Sequence, residues 1–167
     1  MTRGGPHYRV PFRRRREGRT DYRVRSKLLR SQKPRAVVRK TLNQTIVQLV
    51  VPDKAGDRIL ASAHSMELKD HGWSAGTGNL PAAYLTGFLA GKKAVAKGVK
   101  EAVLDLGVQR PSKGGRLFAA LQGLVDSGVA VPHSSEILPT KERLKGAHIG
   151  AEIPKQFDAV RTKLEAA

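Results

Sequence analysis

The chain has 167 residues, 40% of them hydrophobic, with 31 Lys and Arg against 14 Asp and Glu and a formal charge of +17. That length suits one ordinary domain plus tails, and that hydrophobic share is too high for a wholly disordered chain. With no cysteine, disulfides, thiolate metal sites and thiol catalysis are excluded.

No apolar run approaches the roughly 18 residues of a membrane span. The opening, Met1 to Pro6, lacks the apolar core of a secretory signal, and the absence of cysteine is compatible with a reducing cytosol. The excess positive charge opposes compaction and calls for a polyanionic partner: nucleic acid, an anionic membrane or an acidic polysaccharide.

The charge is concentrated at one end. Residues 1–40 hold 15 Lys and Arg and 2 acids, or +13, which leaves +4 for residues 41–167. Most of these cations are arginines, whose forked guanidinium suits phosphate and stacks on bases. Tyr8, Phe12 and Tyr22 lie among them, where rings stack on unpaired bases; for Tyr22, core packing is an equally good role. A solvated polybasic tail or an address signal is the bland alternative. Interleaved aromatics and a helix signal directly after them favour an ordered arm. That helix is predicted to start with Thr20 as N-cap and Asp21 in its first turn, and to end at Gln32 to Pro34. Val24, Leu28 and Leu29 form a thin apolar stripe beside a face of Arg23, Lys27 and Arg30. So thin a stripe disfavours a membrane-surface helix.

Beyond the arm, Arg35 to Thr41, Thr45 to Val51 and Arg58 to Ala63 read as three strands of an antiparallel meander. The second is apolar on both faces except at Gln48, as a covered central strand would be. A loop over 64–79 leads to a helix from Ala82 to Lys97, with Asn79 as N-cap and Pro81 in the first turn. Gly87 and Gly91 are predicted to let this helix approach a sheet closely. A strand at Glu101 to Leu106, a helix at Arg116 to Ser127 and a short fifth strand at Val129 to Val131 follow. Two C-terminal helices are expected at Thr140 to Ala147 and Lys155 to Glu165, the second with Phe157, Val160 and Leu164 on one stripe. The fold class is α/β: a mixed five-stranded sheet, a meander followed by βαβαβ, with helices on its faces and a ribonuclease-H-like order. The expected units are a basic arm and helix (1–33), the mixed domain (34–133) and a C-terminal helical extension (134–167).

Catalytic signals are weak. The five histidines, at positions 7, 64, 71, 133 and 148, lack ligand spacing. Gly87 to Lys93 is one residue short of a phosphate loop and lies in a predicted helix. Gly76-Thr77-Gly78 is half a dinucleotide fingerprint whose backbone amides still suit a phosphate. A metal nuclease needs clustered carboxylates, but Asp105 stands alone and reads as a strand-end residue bonded to a loop. No cofactor, metal or small-molecule substrate is expected.

The chain resembles the archaeal and eukaryotic branch of the large-subunit ribosomal protein 18 family. The matching stretches are Tyr8-Arg-Val-Pro-Phe-Arg-Arg-Arg-Arg-Glu-Gly-Arg-Thr-Asp-Tyr22, Lys33-Pro-Arg-Ala-Val-Val-Arg39, Leu60-Ala-Ser-Ala-His64-Ser and Gly72-Trp73. They continue with Thr77-Gly78-Asn79-Leu-Pro-Ala-Ala-Tyr84-Leu-Thr-Gly87, Glu101-Ala-Val-Leu-Asp-Leu-Gly107 and Gly146-Ala-His148-Ile149. The resemblance implies a non-enzymatic protein that binds 5S rRNA and helps attach it to the large subunit at the central protuberance. It also implies contact with large-subunit rRNA and with neighbouring ribosomal proteins, including the protein 5 family. Relatives often insert a segment between the Ala-His-Ile motif and the last helix; here only Gly150 to Ile153 intervene.

The expected RNA contacts in the arm are Arg3, His7, Tyr8, Arg9, Arg13, Arg14, Arg15, Arg16, Arg19, Thr20, Tyr22, Arg23, Arg25, Lys27, Arg30 and Lys33. Arg35 and Arg39 are expected to extend the basic surface onto the sheet edge. Trp73, Thr77 and Asn79 are expected to form a second contact near a helix N-terminus, with burial against the first helix the favoured single role for Trp73. Lys92 and Lys93 read as a solvated face.

Overall fold

The computed structural model describes residues 5–166, and the expected contact at Arg3 lies outside them. The β-branched runs form β1 (Arg35–Lys40), β2 (Thr45–Pro52) and β3 (Asp57–His64), an antiparallel meander as expected. A tight turn joins β1 to β2, with the Thr41 N–H donating to the Gln44 carbonyl at 2.8 Å. Gly56 closes the next turn at φ +149, a value that suits glycine. β4 (Val103–Asp105) pairs parallel to β1, giving the order β3-β2-β1-β4.

Among the described residues the sheet has four strands, not five. Val129 to Val131 contributes a single parallel bridge, Glu101 to Ala130. Gly128, at φ +106, ends the preceding helix just before it, and Pro132 just after it has no N–H for a further rung. The expected ribonuclease-H-like order needs a full strand where the chain has this bridge.

Two long helices lie against the sheet, both on the same face rather than on opposite ones. α3 (Leu80–Ala96) is capped by the Asn79 side chain, which accepts from the Ala82 N–H at 2.8 Å, and carries Pro81 in its first turn. α4 (Arg116–Asp126) packs along it. Ala36, Val38, Val47, Leu49, Ala61 and Ala63 alternate onto the covered face and are buried. α3 is buried almost all round, which explains why so few of its residues are polar.

The glycines of α3 serve helix–helix contact, not the expected helix–sheet contact. A Cβ on Gly87 would lie 2.0 Å from the Ala120 carbonyl oxygen, and one on Gly123 would lie 2.1 Å from that of Tyr84. Small residues are required here because the two backbones nearly touch.

Two C-terminal helices, α5 (Lys141–Lys145) and α6 (Ile153–Ala166), pack on the outer side of α3. The stripe of Phe157, Val160 and Leu164 is the buried face of α6, as its spacing predicts. Gly146 caps α5 at φ +79 and lies against Pro81 and Ile153, so the brief link to α6 is packed rather than loose. No described helix is long and apolar enough to cross a membrane.

Candidate nucleic-acid interface

The second face of the sheet carries Val37 and Arg39 of β1, Gln48 and Val50 of β2, and Asp105 of β4, and the arm lies over it. Arg13–Arg16 forms a single helical turn, α1, ended by Gly18 at φ +66. The chain then doubles back: the Arg14 carbonyl accepts from Arg19 N–H at 2.9 Å, and Arg14 Nε donates to Thr20 Oγ1 at 2.9 Å. Thr20 therefore fastens the turn and is not the helix cap. Asp21 caps α2 (Tyr22–Leu29), accepting from the N–H groups of Arg23 and Val24, one residue later than expected. The better acceptor wins, and its charge faces the helix N-terminus. The Tyr22 ring lies 5.2 Å from that of Phe12 in a tilted pair, so it packs within the arm. Tyr8 and Phe12 themselves stay exposed.

A chain of ion pairs fixes α2 to the sheet. Arg25 forks onto Asp57 with contacts of 2.8 and 2.9 Å. Asp57 also accepts from Arg35 Nη2 at 2.6 Å, and the other arm of Arg35 reaches Asp105 at 2.7 Å. Arg39 completes the series, donating to the Asp105 carbonyl at 2.9 Å with a longer 3.4 Å contact to its carboxylate. The Gly107 N–H donates to Asp105 as well, the strand-end-to-loop bond expected of that residue. Above all the Arg25 hydrogen bond, with the Arg35 bond and both positive charges beside it, outweighs partial burial and holds the Asp57 carboxyl down at about 2. The same pairing raises the Arg25 guanidinium above its ordinary value.

This network relocates two expected contacts. β1 is an interior strand, so Arg35 and Arg39 do not lie at the sheet edge. Arg35 is 2% exposed and joined to two carboxylates, which makes it a clamp between arm and sheet. Arg39 is partly exposed but also bound to Asp105.

The outward side of the arm has the opposite character. Arg23, Lys27 and Arg30 follow one another at helical spacing along α2, away from Arg25. With Arg9, Arg15 and Arg16, they have no carboxylate partner among the described residues. Arg13 and Arg19 share Glu17, and Lys33 meets Glu101 at 2.7 Å. His7 is exposed.

The second expected contact is engaged within the fold. Trp73 is buried, its indole N–H donating to the Gly76 carbonyl at 3.3 Å. Thr77 Oγ1 donates to the Asn43 carbonyl at 2.8 Å, while Asn79 caps α3. Arg116 closes the same corner by donating to the carbonyls of Leu42 and Gly78. Asp57 and Arg116 were not legible as site residues, because their partners lie tens of residues away in sequence.

The lysines of α3 are not merely solvated. Lys93 bonds Glu67 and the Ser62 carbonyl, and Lys97 bonds the Leu60 carbonyl, so both cover outward carbonyls of the edge strand β3. Lys92 lies over the Phe88 ring.

An α/β domain with a basic arm ion-paired to its open sheet face defines a small cation-presenting protein. A profile described as ribosomal large subunit proteins 60S L5 and 50S L18 matches residues 6–100 and 96–134. The large ribosomal subunit protein uL18 of Methanoculleus marisnigri is 53% identical over 162 residues, covering 97% of this chain and 93% of that protein. Its counterpart in Methanothrix thermoacetophila is 51% identical over 164 residues, covering 96% and 97%. That of Natronomonas pharaonis is 47% identical over 178 residues, again covering 96% and 97%. The chain belongs to this family of large-subunit ribosomal proteins, which are structural components and not enzymes.

Proposed function

We propose that the chain binds 5S rRNA and helps attach it to the large ribosomal subunit at the central protuberance. In this reading it also touches large-subunit rRNA and neighbouring ribosomal proteins, including the protein 5 family. The arm and α2 supply the principal RNA surface, the α/β domain is the frame and the C-terminal helices are an extension of it. The observation that carries the reading is the division of the arm's cations. One set is tied to the sheet, which fixes the arm's position, while Arg9, Arg15, Arg16, Arg23, Lys27 and Arg30 lack carboxylate partners among the described residues. A preordered row of such groups neutralises a phosphate backbone without first giving up internal ion pairs. Trp73, Thr77 and Asn79 contribute by holding the corner that presents the backbone there, and Tyr8 is the free ring best suited to stacking on a base.

The test is a 5S rRNA titration across salt concentrations. With about eight phosphates contacted, log affinity falls against log salt with a slope on the order of −6. Replacing Arg13, Arg14, Arg15 and Arg16 with Ala weakens binding broadly and flattens that slope by about 3. A salt-independent affinity, or no preference for 5S rRNA over heparin and anionic vesicles, would contradict the reading.

A further inference from the structure

Between the arm and the second face of the sheet lies a cleft of about 240 Å³. Its floor is Val37 beside Gln48 and Val50 beside Ile59, neighbours across three strands. Ile59 is half exposed, so apolar surface here is left uncovered by the protein itself. Gln48 is the one polar break in an otherwise apolar run of β2. Its carboxamide is partly buried and has no hydrogen-bond partner among the described residues.

The walls are cationic. Five arginines and three aspartates line the cleft, for a net charge of +2. Arg14 and Arg19 use Nε on Thr20 and Glu17, which leaves their terminal nitrogens without a partner among the described residues. Arg35, 2% exposed, also lines the cleft, and its Nε–H has no acceptor although it is buried.

We propose that this cleft seats one unpaired nucleotide of the bound RNA. Its base lies on Val37 and Ile59, the Gln48 carboxamide reads its edge, and its phosphate faces Arg14 and Arg19. A base is a flat apolar plate with a hydrogen-bonding rim, and a carboxamide offers one donor and one acceptor side by side to match such a rim. The phosphate supplies the negative charge that the walls lack. An acidic protein segment would satisfy the arginines but not the flat apolar floor. The inference rests on the RNA-binding reading and adds to the arm's backbone contacts a single base contact.

Wild-type chain, Gln48→Leu and Gln48→Asn are compared on 5S rRNA by titration and by chemical footprinting of base edges at saturating protein. Leu removes the amide without changing charge, and Asn keeps an amide but withdraws it by one methylene. Both are expected to weaken binding about 10-fold and to restore reactivity at one unpaired base while the backbone footprint persists. An affinity within about twofold of wild type with every base still protected overturns the proposal and leaves the cleft to a protein neighbour. Uniform loss of the footprint at saturating protein also overturns it, since that would make Gln48 a structural residue. If the wild-type chain itself fails to bind 5S rRNA, it is the broader reading that falls.

Discussion

Asp57 is an acidic residue that serves a basic surface. Simple electrostatics says that removing it should help a polyanion bind, yet its two arginine partners make it the pin between α2 and the sheet. Its carboxyl titrates at about 2 in the folded chain, below the unfolded value of about 3.9. A depressed carboxylate contributes stability above its unfolded pKa and loses it as the pH falls through the folded one. The contribution is therefore whole at neutral pH and disappears between about pH 4 and about pH 2. The side chain is 31% exposed, so solvent screening limits the effect to roughly 1–2 kcal/mol. Asp57→Asn is expected to show that deficit in urea unfolding at pH 7, with the gap to wild type closing toward pH 2. A gap independent of pH would mean that shape, not charge, is what Asp57 supplies. At neutral pH the same variant is expected to expose the arm to limited proteolysis and to bind 5S rRNA less tightly, despite its extra positive charge.

At the scale of elements, the sequence carried the periodic features and missed those set by topology. The meander, both long helices, the Asn79 cap and the α6 stripe are local patterns and are present where expected. The choice of sheet face is not local. Arg35, Arg39 and Gln48 mark one face of β1 and β2 as the more polar, but only the packed fold shows that α3 and α4 take the other face and that the arm covers this one. The pairing of Arg35 with Asp105 spans 70 residues, so the sequence placed Arg35 on an open sheet edge and not in a buried ion pair on an interior strand. Gly87 was recognised as a close-contact residue with the wrong neighbour, because a missing side chain does not say what approaches it. Its true neighbour leads to a graded prediction. Gly87→Ala and Gly123→Ala would each put a Cβ about 2 Å from a backbone carbonyl, which forces the helices apart and costs about 1–3 kcal/mol or more. Gly91→Ala meets the Ser127 hydroxyl, which can rotate away, and the Ser127 Cβ at 2.8 Å, but no backbone atom closer than 3.3 Å, and is expected to cost less. Urea midpoints of the three variants test that order, and an equal gain at all three sites would argue that helix propensity, which favours Ala over Gly, outweighs backbone contact.

For the molecule as a whole, the separation of charge from core predicts a separation of function from folding. None of the buried core cluster comes from residues 5–33; its first member is Ala36. The arm is held by ion pairs, the Asp57 network and Lys33 to Glu101, contacts that contribute little to global stability where exposed. Residues 1–33 contain 12 Lys and Arg and 2 acids, so removing them takes the formal charge from +17 to +7. Two opposed effects follow. The trimmed chain loses the anchoring pairs, but it also loses most of the self-repulsion that opposes compaction. Arg35 keeps both of its carboxylates, because Asp57 and Asp105 belong to the sheet. The chain from residue 34 onward is thus expected to unfold cooperatively, with helix and strand content intact by circular dichroism. Added salt should raise the melting temperature of the full chain more than that of the trimmed one, since screening acts on repulsion that the trimmed chain no longer has. The same salt should weaken 5S rRNA binding by the full chain, while the trimmed chain binds poorly at every concentration. A trimmed chain that fails to fold would make the arm part of the structural core; one that folds and still binds 5S rRNA at full strength would move the RNA surface onto the α/β domain.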